Sequence, residues 1–211
     1  MAVNVSLQAH RLACERDDRW LFRSLDLRVE VGDILRIEGA NGSGKTTLLK
    51  LLTGQLQASE GAIEWHGRSL ASVREHFLDR LLYLGHLPGV SEALSAQGNL
   101  AWSAAMAGIK TKPEAIEAAL DAVGLTGFED LPARQLSAGQ QRRIALARLE
   151  LVPRPLWILD EPFTAIDRDG VAWLERRLLD HARAGGAVVM TTHHTFQAND
   201  RVDSLVLGET S

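Results

Sequence analysis

The side chains best suited to chemistry stand in GANGSGKTT, residues 39–47. The spacing Gly39-x-x-x-x-Gly44-Lys45-Thr46 predicts a glycine loop between the strand DILRIEG and a leucine-rich helix. In such a loop the stretch Gly39, Ala40, Asn41, Gly42, Ser43, Gly44 and on to Thr47 wraps backbone N–H groups around phosphate oxygens. Lys45 adds a point charge for the β and γ oxygens, and the Thr46 hydroxyl can hold Mg2+. The complement lies in LWILDE, residues 156–161. An apolar run that ends abruptly in Asp160 and Glu161 delivers charge to the carboxyl edge of a parallel sheet, where ligands bind. Asp160 would hold Mg2+ through water, and Glu161 would polarise the attacking water. A third apolar run, AVVMTT, leads into His193, an imidazole able to contact a γ-phosphate as donor or to orient the water.

LSAGQQRR, residues 136–143, holds no acid, base or nucleophile. Ser137 and Gln140 have the form of a capping box, so a helix opens here, with Ile144, Ala147 and Leu151 following at helical spacing. A helix start gathers unpaired N–H groups and positive potential, and Leu136, Ser137, Ala138, Gly139 and Gln140 therefore form an anion site. Gly139 costs about 1 kcal/mol in a first turn relative to alanine, and close approach of a phosphate to the backbone would justify it.

The elements that must position these groups are legible in outline. Val3, Val5 and Leu7, then Leu25 to Val31, then GAIEWHG alternate as strands of a small antiparallel sheet. Helix leucines 48, 49, 51 and 52 predict burial on most sides, with Gly54 as the stop. After the strand LLYLG the pattern turns helical, including TKPEAIEAALDAVG, and from Leu156 it resumes strand, helix (VAWLERRLLDHA), strand and a final apolar SLVL. This is an α/β chain with a parallel core (1–85 and 151–211), an antiparallel flap and a helical insertion (86–150).

Composition agrees with one domain carrying an insertion: 211 residues, 45% of them hydrophobic. A formal charge of −4 speaks against a broad nucleic-acid footprint. Cys14 is the lone cysteine, which excludes an intrachain disulfide and suits a reducing cytosol. The N-terminal stretch lacks the form of a signal peptide and no run has the roughly 20 apolar residues of a membrane span, so a membrane role is expected to go through a partner.

GANGSGKTT, LSAGQQRR, LWILDEP, TAID and the histidine after AVVMTT, in this order, resemble an ABC-type ATPase nucleotide-binding domain. The resemblance implies a P-loop NTPase (RecA-like) core with an antiparallel β-subdomain and an inserted helical subdomain. It implies ATP and Mg2+ as ligands, a head-to-tail homodimer in which the signature of one copy covers the ATP of the other, and a D-loop role for Asp167. CERDDRWLF, YLGHLPG, QLSAGQQRRIALARL and LWILDEPFTAID further resemble the ATP-binding export subunits of bacterial cytochrome c maturation. That narrower likeness implies a peripheral subunit on the cytoplasmic face of the inner membrane, CcmB-type and CcmC-type membrane partners, and an indirect link to a periplasmic haem chaperone. No motif here reads as a haem site. The position usually held by a sensor glutamine falls on His86, and the one that stacks on adenine falls near Arg16, with Trp20 assigned to the core. A transporter subunit for another cargo, or a soluble ABC ATPase of a nucleic-acid machine, are the alternative readings; no nucleic-acid partner is expected.

Overall fold

The computed structural model describes residues 5–196 and 202–208, so Val3 of the first expected strand lies outside the described residues. Among the described residues nine strands and six α-helices follow in chain order. They are β1 (Ser6–Arg16), β2 (Arg19–Glu30), β3 (Ile34–Gly39), α1 (Lys45–Leu52), β4 (Glu60–Trp65), β5 (Arg68–Ser69), α2 (Arg74–Leu78) and β6 (Leu81–Leu84). Next come α3 (Ala96–Met106), α4 (Pro113–Ala122), α5 (Ala138–Leu151), β7 (Leu156–Asp160), α6 (Arg168–Arg183), β8 (Ala187–Thr191) and β9 (Asp203–Leu207).

Two sheets form. One has the order β2-β1-β4-β5, with antiparallel pairing throughout. The other has the order β6-β7-β8-β3-β9, in which β7–β8, β8–β3 and β3–β9 run parallel. The strand interiors explain the difference: β7 and β8 are buried at every position, as strands covered on both faces must be, whereas β2 alternates. The hairpin between β1 and β2 turns on Asp17 and Asp18, both left-handed (φ 50° and 56°), which lets β2 start six residues before Leu25. Helix α1 carries four fully buried leucines, and its side chains join residues of both sheets in one core.

The chain divides into two compact units. The first contains the chain through Tyr83, Arg154–Glu161 and the part from Leu178 onward; the second contains Leu84–Pro153 and Pro162–Arg177. In the second unit Leu100, Leu120, Ile144, Leu146, Leu149 and Leu174 supply buried side chains. Helix α3 lies within the expected helical insertion but has no distinct signal of its own, because its buried Ala96, Leu100 and Ala104 sit among glycine and polar residues and give a faint pattern. Its start is nonetheless capped, with Ser95 Oγ accepting from the Gly98 N–H at 3.1 Å.

Candidate active site

Strand β3 ends at Gly39, and the chain then loops over five residues into α1. A Cβ at Gly39 would lie 2.6 Å from both the Leu207 carbonyl oxygen and Ser43 Oγ, at φ 143°, so only glycine fits. Gly44, also left-handed at φ 96°, precedes the helix and brings Lys45 back over the loop. Lys45 Nζ donates to the carbonyls of Gly39 (2.7 Å) and Ala40 (3.1 Å), leaving a third N–H of the ammonium for a ligand. Ser43 Oγ is buried without a hydrogen-bond partner among the described residues. An orphaned polar atom of this kind costs about 1–3 kcal/mol, which a bound phosphate group would recover.

Behind the loop, Asp160 closes β7 and is 1% exposed. Its two oxygens are both used: Thr46 Oγ1 donates to Oδ2 at 2.9 Å and Thr191 Oγ1 donates to Oδ1 at 2.6 Å. Burial, and after it the Asp160 charge, pushes the Tyr83 phenol above its ordinary value. Thr191 was not singled out in the sequence, although it ends β8 directly opposite Asp160 in the β7–β8 register. Its hydroxyl also accepts from the Glu161 N–H at 2.9 Å, and its carbonyl accepts from the same N–H at 3.1 Å. Glu161 thereby sits at φ 48°, a left-handed conformation that costs a non-glycine residue roughly 1–2 kcal/mol. Its Oε1 lies 3.7 Å from Nε2 of His193, whose ring is mostly exposed. The backbone beyond His193 is held by Arg36, which donates from Nη1 to the His194 carbonyl at 3.1 Å. Lys45, Thr46, Asp160, Glu161 and His193 are thus brought together within the first unit.

The signature residues, Asp167 and His86 fall in the second unit. Ser137 caps α5 as expected: its Oγ accepts from the Gln140 N–H at 3.2 Å while Gln140 Oε1 accepts from the Ser137 N–H at 2.9 Å. Gly139 acquires a reason inside the chain, because a Cβ there would lie 2.6 Å from the carbonyl oxygen of Ala165, itself left-handed at φ 64°. Gly139→Ala would normally stabilise a helix by about 1 kcal/mol. Here it is expected to destabilise by about 1–3 kcal/mol, because backbone must move. Thermal unfolding checks this, and an unchanged or raised Tm would show that the contact is soft.

Asp167 caps α6, its Oδ1 accepting from the Gly170 N–H at 3.0 Å, while Oδ2 meets Arg143 Nη2 at 2.5 Å. The Gly170 N–H first, and Arg143 with it, hold the Asp167 carboxyl below its ordinary value. His86 has an exposed side chain, and its carbonyl accepts from Nη1 of the buried Arg142 at 3.4 Å. Trp20 is a correction: it is half-buried at the β1–β2 hairpin, outside the core cluster, with the Arg23 guanidinium 4.3 Å from its ring centroid. Arg16 is exposed at the end of β1.

Fold and site together define an ABC-type ATPase domain. The family model described as ABC transporter matches residues 22–164. The chain is 54% identical over 195 residues to the cytochrome c biogenesis ATP-binding export protein CcmA of Pseudomonas putida, covering 92% of each. It is 50% identical over 206 residues to the CcmA protein of Hahella chejuensis, covering 97% of each. Among solved structures it resembles a putative ABC transporter ATP-binding protein from Pyrococcus furiosus (26% identity, TM-score 0.82, 95% of this chain and 97% of that one). It also shares its fold with an ATP-binding subunit of an ABC transporter (23% identity, TM-score 0.85, 96% of this chain and 85% of that one). The chain belongs to the ABC transporter family, among the cytochrome c biogenesis ATP-binding export proteins, and is an ATP-hydrolysing transporter subunit.

Proposed function

We propose that two copies of this chain bind MgATP in two composite sites, hydrolyse it and reopen, and that this cycle drives a membrane complex of cytochrome c maturation. The observation that carries the reading is the Asp160 carboxylate clamped between Thr46 and Thr191, next to Glu161 and behind the lysine loop. This donor set suits Mg2+, which takes one or two carboxylates, hydroxyls and the substrate's own phosphate oxygens. Thr46 and Asp160 would hold it, and when bound it would neutralise charge on the phosphates. Lys45 binds the phosphates, Glu161 accepts a proton from the attacking water, and His193 orients that water or donates to the γ-phosphate. Leu136, Ser137, Ala138, Gly139 and Gln140 of one copy cover the γ-phosphate held by the other.

The relatives' names carry the assignment to cytochrome c biogenesis and export; the cargo step we propose is haem export or release of a haem-loaded periplasmic chaperone. Among the described residues no helix is long and apolar enough to cross a membrane. The proposed location is therefore peripheral, on the cytoplasmic face of the inner membrane, bound to CcmB-type and CcmC-type subunits. Leu87, Trp102 and Met106 expose 80%, 55% and 70% of their surfaces in the second unit and are the apolar side chains proposed to meet a membrane subunit.

Mixed dimers test the composite site. One copy carries Lys45→Ala and the other Ser137→Arg. Sharing in trans places both defects in one site, so hydrolysis persists at the second while each mutant homodimer is inactive. An inactive mixed dimer would mean that signature and lysine loop meet within one chain. Co-purification with the membrane subunits, followed by an assay for ATP-dependent release of the haem chaperone, tests the cargo.

A further inference from the structure

We propose that Arg143 is the positioning residue that ties the loop Thr164–Asp167 to the signature helix α5, so that both elements meet a neighbouring copy's nucleotide as one piece. The inference rests on the composite-site reading above and assigns a role to a residue outside the contacts with nucleotide.

Arg143 projects from the second turn of α5, and its side chain is 20% exposed. The guanidinium uses its fork in two directions. Nη1 donates to the carbonyls of Val123 (3.1 Å), the C-cap of α4, and Gly124 (3.3 Å), the residue after it, and Nη2 meets Asp167. Gly124 is left-handed at φ 71°, and a Cβ there would lie 2.7 Å from Nη1, so the glycine both ends α4 and admits the arginine. Arg143 therefore joins three segments that are remote in sequence, and a planar fork is the side chain suited to that.

A second contact brings the same loop onto the same helix. One turn earlier in α5, the Ala165 carbonyl occupies the space where a Gly139 Cβ would be. Beside these contacts lies a cavity of about 200 Å³ lined by Arg143, Leu146, Ile166, Gly170 and Trp173. At that point open space lies beside the loop, and the guanidinium is the side chain that ties it to α5, while the Gly170 and Val171 N–H groups bond Asp167 to the start of α6. The neighbouring Arg142, buried in the same helix, holds the carbonyls of Gly85 and His86 at 3.0 and 3.4 Å. Helix α5 thus binds the backbone of the sensor segment through one arginine and the D-loop through the next.

Magnitudes make the test clean. An ion pair whose acid is 59% exposed adds little to global stability, whereas a displacement of about 1 Å in a catalytic element can cost 10²-fold in rate. Arg143→Ala, Asp167→Asn and the double variant are compared by steady-state ATP hydrolysis, KM for ATP and thermal unfolding. Asparagine keeps the α6 cap, so Asp167→Asn removes the ion pair alone. Expected are a kcat lower by about 10- to 100-fold in each single variant, an unchanged KM, a Tm within a few degrees, and a double variant no worse than either single. Arg143→Lys, which retains charge without the fork, should recover part of the loss. Full kcat in Asp167→Asn, additive losses in the double variant, or a kcat loss that tracks Tm would overturn the assignment. A mixed dimer that fails in trans would instead overturn the composite site, so the two readings fail separately.

Discussion

Glu161→Gln lowers ATP turnover by roughly 10²- to 10⁴-fold and leaves nucleotide binding intact, if the carboxylate accepts the proton of the attacking water. The geometry makes glutamine a close test. The residue's place is set by its backbone: its N–H donates to both the carbonyl and the hydroxyl of Thr191, and its φ of 48° is imposed by that pairing at the end of β7. Glutamine has the same length and the same backbone cost, so it keeps the position and loses only the proton acceptor. A strained non-glycine residue at the end of a buried strand is itself a sign that the site, rather than the fold, requires that conformation. Single-turnover hydrolysis measures the first effect and titration with a fluorescent nucleotide the second. Near-normal turnover in the variant would remove Glu161 from the role and leave His193, 3.7 Å from its Oε1, as the group to examine.

Asp160→Asn separates the charge of the next residue from its hydrogen bonds. Asp160 is buried and accepts from two threonine hydroxyls, and a hydroxyl can rotate to accept as well as donate. Asparagine can therefore keep both contacts, and the Tm is expected to hold because a buried charge is removed along with the acceptor. The Mg2+ concentration that supports half-maximal ATPase should nevertheless rise by about 10- to 100-fold, since the carboxylate proposed to hold the metal is replaced by a neutral amide. Asp160→Ala would act differently, stranding two hydroxyls at about 1–3 kcal/mol each. A Mg2+ titration of the Asn variant that overlays the wild type would rule out Asp160 as the metal-holding acid.

The parts of the site that could be read from the sequence are those in which one contiguous stretch sets both residue and backbone. The loop Gly39–Thr46, the capping box of Ser137 and Gln140, the four buried leucines of α1 and the acid pair ending β7 all depend on local spacing. The antiparallel and parallel sheets followed from alternation in one set of strands and unbroken apolar runs in the other. The bounds of α3 within the helical insertion and the full length of β2 are not legible, because alanines and a left-handed aspartate pair leave no periodic signal.

What tertiary structure decided are the relations between stretches. Thr191 becomes a site residue only because β7 and β8 pair in a register that sets it opposite Asp160. Gly139 read as an opening for phosphate, and the folded chain places the Ala165 carbonyl in that space. Arg142 and Arg143 have no role legible in LSAGQQRR, because their partners, Gly85, His86, Val123, Gly124 and Asp167, lie some 20 to 60 residues away. Spacing along a chain encodes the period of a helix or strand and the turn of a loop. A hydrogen bond between distant segments depends on the packing that brings donor and acceptor within bonding distance, and no local pattern carries that information.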